Sequence, residues 1–227
     1  WVKKSNCMRR FKFVNLFLPR KNGKSQLWAA VGWWMFRKDN EPGAEIFFVA
    51  TTEKQAREVF GPMRQMAILL PDLAKYTGTT VNARSLVAEA DNAKVEPVIG
   101  KPGDGASPHM AGVDEYHEHL DSTLYDTMKT GMGAREQPLL GVISTAGETI
   151  GGSCHQLWAE MEKLLDGGFE DDTTFTMIWT IDDGDDWSTE AALIKANPNW
   201  GVSVNPEIIL PDLAGAIRDP AKQGIFK

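Results

Sequence analysis

The sequence predicts an α/β fold, a mainly parallel central sheet with helices on its faces. Three observations predict it. An apolar run at residues 13–18 breaks at Pro19, crosses a polar turn containing Gly23 and enters an apolar helix at Lys24. A second apolar run, at 44–50, leads into an amphipathic helical stretch at 53–70. Strand–helix–strand–helix at these lengths gives parallel strands joined by right-handed crossovers. Finally, 227 residues of 42% hydrophobic content suffice for one domain with a buried core.

Taken in order, residues 24–38 place Leu27, Trp28, Val31, Trp34 and Met35 at helical spacing, and the tryptophans read as core. Gly43 turns the chain into the strand AEIFFVA, and Thr51-Thr52 lead into the helix that Pro71 stops. Residues 72–109 are less regular. They hold short extended pieces at 86–90 and 95–99 and a loop, GKPGDGASP, at 100–108. A weakly apolar strand at 109–113 ends in Asp114 and Glu115, and Asp121 or Ser122 caps a helix to about Met132. Residues 139–144 are an apolar strand running into Thr145-Ala146-Gly147. Ser153 begins a helix carrying Leu157, Met161, Leu164 and Leu165, closed by Gly167-Gly168. A strand at 174–181, an acidic turn at 182–186 and helical segments at 188–196 and 206–218 complete the chain. The two helical segments are joined by NPNWGVSVN.

The chemistry concentrates at strand ends. Strand, Gly-containing turn, Gly23-Lys24-Ser25 and helix is an arrangement that binds nucleotide phosphates. Backbone N–H groups and the helix N-terminus face an anion, Lys24 adds a point charge, and Ser25 can offer its hydroxyl to Mg²⁺. Leu18 stands where a full phosphate-loop motif has its first glycine, and the loop carries Arg20. Gly-Lys-Ser alone is also a common solvated turn. The Asp114-Glu115 pair meets the need for carboxylates beside such a loop, Asp114 for Mg²⁺ and Glu115 for the attacking water. A solvated acidic helix start explains the pair equally well. Ser144-Thr145 at the end of a neighbouring strand can touch a γ-phosphate, though an ordinary strand-to-loop turn accounts for it too. The three signals follow one another in the order of a phosphate-loop ATPase.

Charge is uneven. Residues 1–38 hold ten Lys/Arg and no acid, leaving 14 basic against 31 acidic residues in the remainder. An acidic body argues against a broad surface that coats nucleic acid. No apolar run approaches the ~18 residues of a membrane span, and no signal peptide is visible. Cys7 and Cys154 lie far apart and fit a reducing compartment. The chain begins at Trp1 without Met and stops without a helix terminator, so the expectation is a piece of a longer protein.

At PRKNGKS, ATTEKQAREVF, VDEYHEH, TGMGAREQPLLGVISTAG and DDGDDW…KANPNWG the sequence resembles the ATPase domain of the large terminase subunit of tailed bacteriophages. The resemblance covers most of the chain. It implies a RecA-like phosphate-loop NTPase fold and an ATPase motor that moves viral double-stranded DNA into a prohead. It assigns Arg20, Gly23, Lys24 and Ser25 to the phosphate loop and makes arginine in that loop expected. It assigns Asp114 to Mg²⁺ and Glu115 to catalysis. Ser144-Thr145-Ala146-Gly147 becomes the motif coupling hydrolysis to DNA movement, with Thr145 at the nucleotide. ATP and Mg²⁺ are the implied cofactors. The implied partners are DNA, portal protein, small terminase subunit and further copies in a ring, in the cytoplasm of a bacterial host. Residues 1–187 become the ATPase domain, and 188–227 a segment leading toward a nuclease domain.

Several readings stay beside it. Asp114-Glu115-Tyr116-His117 is DExH-like, as in helicases, although the chain has Ser144-Thr145-Ala146 rather than Ser-Ala-Thr. A catalytically silent assembly module is a third reading. Arg20, Arg84 and Arg135 are the arginine-finger candidates, and Lys101 is a candidate DNA contact. His117, Glu118 and His119 raise a metal site, but their context does not suit zinc, and His117 fits better as a hydrogen-bonding neighbour of the acids. Asp182, Asp183, Asp185 and Asp186 read as a solvated turn.

Overall fold

A computed structural model describes residues 7–100, 105–147 and 150–225. Eight strands form one sheet: β1 (Phe13–Phe17), β2 (Glu45–Ala50), β3 (Thr80–Val81), β4 (Leu86–Ala88), β5 (Ala93–Ile99), β6 (Pro108–Asp114), β7 (Leu139–Ser144) and β8 (Thr174–Ile178). Their order is β3-β4-β5-β2-β6-β7-β1-β8. From β5 to β8 every pairing is parallel, while β3 and β4 form an antiparallel edge. This is a mixed, mainly parallel sheet with helices on both faces. β7 lies between β1, which feeds the phosphate loop, and β6, which ends in the acids. All three deliver their C-terminal ends to one edge.

Parallel strands covered on both faces read as continuous apolar runs, and these do. In β2, Ile46 and Phe48 enter one core while Phe47 and Val49 enter the other. The first core packs under α1 (Lys24–Arg37) and α2 (Glu53–Leu69). The second packs under α4 (Thr123–Gly131) and α5 (Ser153–Leu165). α1 buries Trp28, Ala29, Gly32, Trp33, Met35 and Phe36. Leu27, expected on that face, is 52% exposed. The helix is sandwiched between sheet and α2, so its buried arc is wider than a single stripe.

Small residues let these layers meet. A Cβ on Gly141 would lie 1.7 Å from the Trp28 ring, one on Gly112 2.8 Å from it, and one on Gly32 2.7 Å from Phe48. β6, weakly apolar in sequence, is buried along its whole length.

Pro71 ends α2 and opens the short helix α3 (Pro71–Tyr76). Two prolines, Pro62 and Pro211, sit inside α2 and inside α7 (Pro206–Arg218). The strand expected over 174–181 ends at Ile178. The acidic turn that follows is tied to α6 (Glu190–Ala196), because Lys195 Nζ reaches Asp182 at 2.6 Å and Asp185 at 2.5 Å. The turn is largely exposed and its acids come from one short loop. Among the described residues no helix is long and apolar enough to cross a membrane.

Candidate functional site

The site is built from three strand ends. Beyond β1 the chain turns through residues 18–23, with Lys21 at φ 68° and Gly23 at φ 77°. Left-handed positions in a tight loop gather successive N–H groups into an anion-binding concavity, and Gly23 occupies one at no steric cost. Gly23 is also the N-cap of α1, so the helix opens on the same concavity. Lys24 is 8% exposed and its ammonium donates to the carbonyls of Leu18 at 3.1 Å and Pro19 at 3.2 Å. Burial pulls the Lys24 pKa down, while the charges of Glu115 and Asp114 pull it back up.

Beyond β6 the chain changes direction sharply. Glu115 adopts φ 45°, ψ 51°, a left-handed conformation rare for a residue with a side chain. Asp114 is 2% exposed and accepts the Glu115 N–H at 2.9 Å. Its carboxyl is pushed up to about 7, first by burial and then by the neighbouring Glu115 charge. Glu115 Oε2 is buried and accepts no hydrogen bond. A cleft of about 800 Å³ opens between the two strand ends. Arg20, Gly23, Lys24 and Ser25 line one side, Glu115 and Glu118 another, and Thr52, Gln55 and Glu58 of the α2 end a third.

Beyond β7, Ser144 and Thr145 meet His117. Its Nδ1 lies 3.0 Å from Ser144 Oγ, 3.2 Å from Thr145 Oγ1 and 3.3 Å from Glu115 Oε2. A Cβ on Gly147 would stand 2.6 Å from His117 Cβ, so glycine there lets the loop close over the imidazole. Thr145, expected at the nucleotide, is outside the lining of the cleft, and its hydroxyl is engaged by His117. Asp114 lies beneath the lining too.

The family model for the terminase large subunit, ATPase domain, matches residues 1–163, which include all three strand ends. The chain belongs to the terminase large subunit ATPase family. An ATPase domain as the family's defining part implies nucleotide binding. The terminase chain is 48% identical over 127 residues to protein YmfN of Escherichia coli, covering 56% of this chain and 28% of that protein. It is 30% identical over 135 residues to the terminase large subunit of Enterobacteria phage HK97, covering 57% of this chain and 27% of that protein. The matched stretches thus span under a third of these two relatives. The HK97 large terminase crystal structure superposes with a TM-score of 0.82 at 23% identity, over 95% of this chain and 45% of that one. The large terminase ATPase domain of Thermus phage P74-26 superposes with a TM-score of 0.61 at 16% identity, over 95% and 86%.

The terminase fold separates the arginine candidates. Arg20 is exposed on the cleft wall. Arg135 sits at the opposite edge of the sheet, where β2 and β6 begin. Its guanidinium donates to Ser107 O, Glu41 Oε1, Pro42 O and Gly43 O. These contacts make it a structural clamp at that end of the sheet. Arg84 is exposed, 3.9 Å from Glu53. Lys101 lies outside the described residues.

Two parts of the terminase site escaped the sequence reading. One is the α2 end, where the Gln55 amide donates to Glu118 across the cleft and Thr52 caps the helix. ATTEKQ contains the cap residue, which was the available signal. The other is the turn at 197–205, which hydrogen-bonds to Lys21 and Asn22. No local pattern announces that contact.

Proposed function

We propose that this chain binds Mg²⁺-ATP in the cleft and that its hydrolysis drives viral double-stranded DNA into a prohead. On this reading Gly23, Lys24 and the α1 N-terminus receive the phosphates, and Arg20 adds charge from the rim. Glu115, whose buried Oε2 accepts no hydrogen bond, orients and deprotonates the attacking water. Ser25 and Asp114 are the residues that would hold Mg²⁺, which neutralises phosphate charge when bound. Asp114 is buried and its charge is opposed by burial and by Glu115, with Lys24 only partly offsetting them, so a cation beside it would favour the charged form. His117 carries the state of Glu115 to Thr145, so Thr145 senses the γ-phosphate through the imidazole.

One observation supports the reading above all. Lys24 and Glu115 lie ninety-one positions apart in sequence, yet both line the same cleft and each sits in the other's field. In the assembled motor, copies of the chain form a ring on DNA and dock on portal protein and small subunit. Residues 1–187 serve as the ATPase domain and 188–227 lead toward a nuclease domain.

The test is thermal stabilisation by Mg²⁺-ATP in wild type and Lys24→Ala, with turnover measured in Glu115→Gln. Stabilisation should vanish in the first variant. Turnover should fall by at least about a hundredfold in the second, whose nucleotide binding persists. Equal stabilisation of wild type and Lys24→Ala would remove the lysine from the site and end the proposal.

A further inference from the structure

The phosphate loop is held from behind by a segment beyond the family match. Asn22 is 6% exposed and Asn197 8%. The Asn22 amide donates to Asn197 Oδ1 at 2.8 Å, and its own Oδ1 accepts the Asn199 N–H at 3.0 Å. The Asn199 side chain donates to the Asn22 carbonyl at 3.2 Å, and the Ser203 hydroxyl donates to the Lys21 carbonyl at 2.5 Å. Asn197 in turn donates to Leu193 O, locking it to the end of α6. The approach is tight: a Cβ on Gly23 would stand 3.2 Å from Asn199 Nδ2. Ser203 also lines the cleft.

The consequence follows from peptide planarity. In a trans peptide the C=O and the next N–H point in opposite directions. Fixing the Lys21 carbonyl therefore fixes the Asn22 N–H, and fixing the Asn22 carbonyl fixes the Gly23 N–H. Lys21 holds φ 68°, a left-handed conformation that costs a residue with a side chain, so without outside partners this stretch has reason to relax.

We propose that Asn199 and Ser203, with Asn197, are positioning residues for nucleotide binding. They aim the N–H groups of the phosphate loop away from the 197–205 turn and toward the anion. The proposal rests on the nucleotide reading of the cleft. It makes affinity for ATP depend on a segment outside the family match, and it makes the geometry of that segment depend on whether the loop is filled.

The experiment measures, on this chain, the Mg²⁺-ATP concentration giving half-maximal rise in melting temperature. Asn199→Ala, Asn199→Asp and Ser203→Ala are compared with wild type, Ser203→Thr and Lys24→Ala. Asn199→Asp is isosteric but sets a carboxylate against the Asn22 carbonyl, so it carries the test should the alanine variant misfold. The half-saturating concentration should rise about tenfold or more in Asn199→Ala, Asn199→Asp and Ser203→Ala. It should return to near wild type in Ser203→Thr, which keeps the hydroxyl. Variants that melt lower without nucleotide but keep the wild-type half-saturation would overturn the inference, leaving a merely structural contact. If wild type responds and Lys24→Ala does not, that failure belongs to the inference alone. If wild type itself shows no response, the cleft reading falls and takes the inference with it.

Discussion

Ser144 Oγ lies 3.0 Å from His117 Nδ1 and also accepts the His117 backbone N–H at 3.2 Å. One hydroxyl thus fixes both the main chain and the ring of the residue two positions beyond Glu115. Thr145 approaches the same nitrogen, so the end of β7 and the end of β6 share one imidazole. Replacing His117 by alanine should leave the phosphate loop intact and release Glu115. Turnover should fall by about tenfold or more while half-saturation by Mg²⁺-ATP shifts less than about threefold. Steady-state kinetics beside a nucleotide titration separates the two. A matching loss of affinity would mean that His117 supports the loop instead.

Asp114 sets activity against stability. Its folded pKa of about 7 stands above the ordinary 3.8, because burial and then Glu115 oppose its charge. Between those values the folded chain holds a proton that the unfolded chain has lost. Stability from this group is therefore full below about pH 4 and is lost as pH rises through 7, by up to about 4 kcal/mol. Asp114→Asn should flatten that slope and raise the melting temperature at pH 8 without nucleotide. The same change should abolish the Mg²⁺-dependent part of nucleotide stabilisation. Melting curves from pH 5 to 8, with and without Mg²⁺-ATP, check both halves. A variant that melts lower than wild type at pH 8 would contradict the assignment.

The parallel core was readable because its strands are buried on both faces and appear as plain apolar runs. β7 matches its expected span residue for residue for that reason, and α7 matches its own because Asn205 and Pro206 mark its start. β6 was harder, since Pro108, His109 and Gly112 dilute its hydrophobicity, although neighbours on both sides bury it completely. The phosphate loop and the acids were visible as residue types at strand ends, and so was His117 as a neighbour of the acids. What stayed hidden were contacts that no local pattern encodes. Asn22 meets Asn199 across 177 positions, and Gln55 meets Glu118 across 63. Asparagine and glutamine are ordinary surface residues until a fold pairs them.

Gly141 tests how tightly the sheet receives α1. A methyl group there would lie 1.7 Å from the Trp28 benzo ring and 2.4 Å from its far corner. Trp28 is 2% exposed, so it has no free side to retreat to. Gly141→Ala should cost about 3 kcal/mol or more, toward the upper range for overpacked cores. Shortening the opposing ring relieves the clash, so Gly141→Ala with Trp28→Phe should be more stable than Gly141→Ala alone. Urea denaturation of the four members of the cycle gives the coupling. Additive losses would mean that the two residues do not share the space.

The edge of the sheet away from the cleft carries a buried ion cluster that governs acid stability. Asp39, just beyond α1, accepts from Arg9 and, at 2.7 Å, from His109 Nε2 at the start of β6. The side chains of Arg9, Asp39 and His109 are all largely covered. Burial opposes ionisation of Asp39, but the hydrogen bonds from His109 and Arg9, with the Arg9 charge, outweigh it and hold the carboxyl below its ordinary range. A depressed folded pKa contributes stability that is present above about pH 4 and is lost as pH falls through the folded value. Asp39→Asn removes the carboxylate to which both Arg9 and His109 donate, and breaking a buried pair costs up to about 3–5 kcal/mol. The variant should therefore be much less stable than wild type at pH 7. The gap should narrow as pH falls through the folded pKa of Asp39, where wild type loses the same contribution. Because the cluster lies at the opposite sheet edge, half-saturation by Mg²⁺-ATP in the folded variant should stay within about threefold of wild type. Urea midpoints from pH 7 down to the acid transition of wild type, with a nucleotide titration at pH 7, measure all three. A gap of constant size across that range would show that Asp39 acts through shape rather than charge.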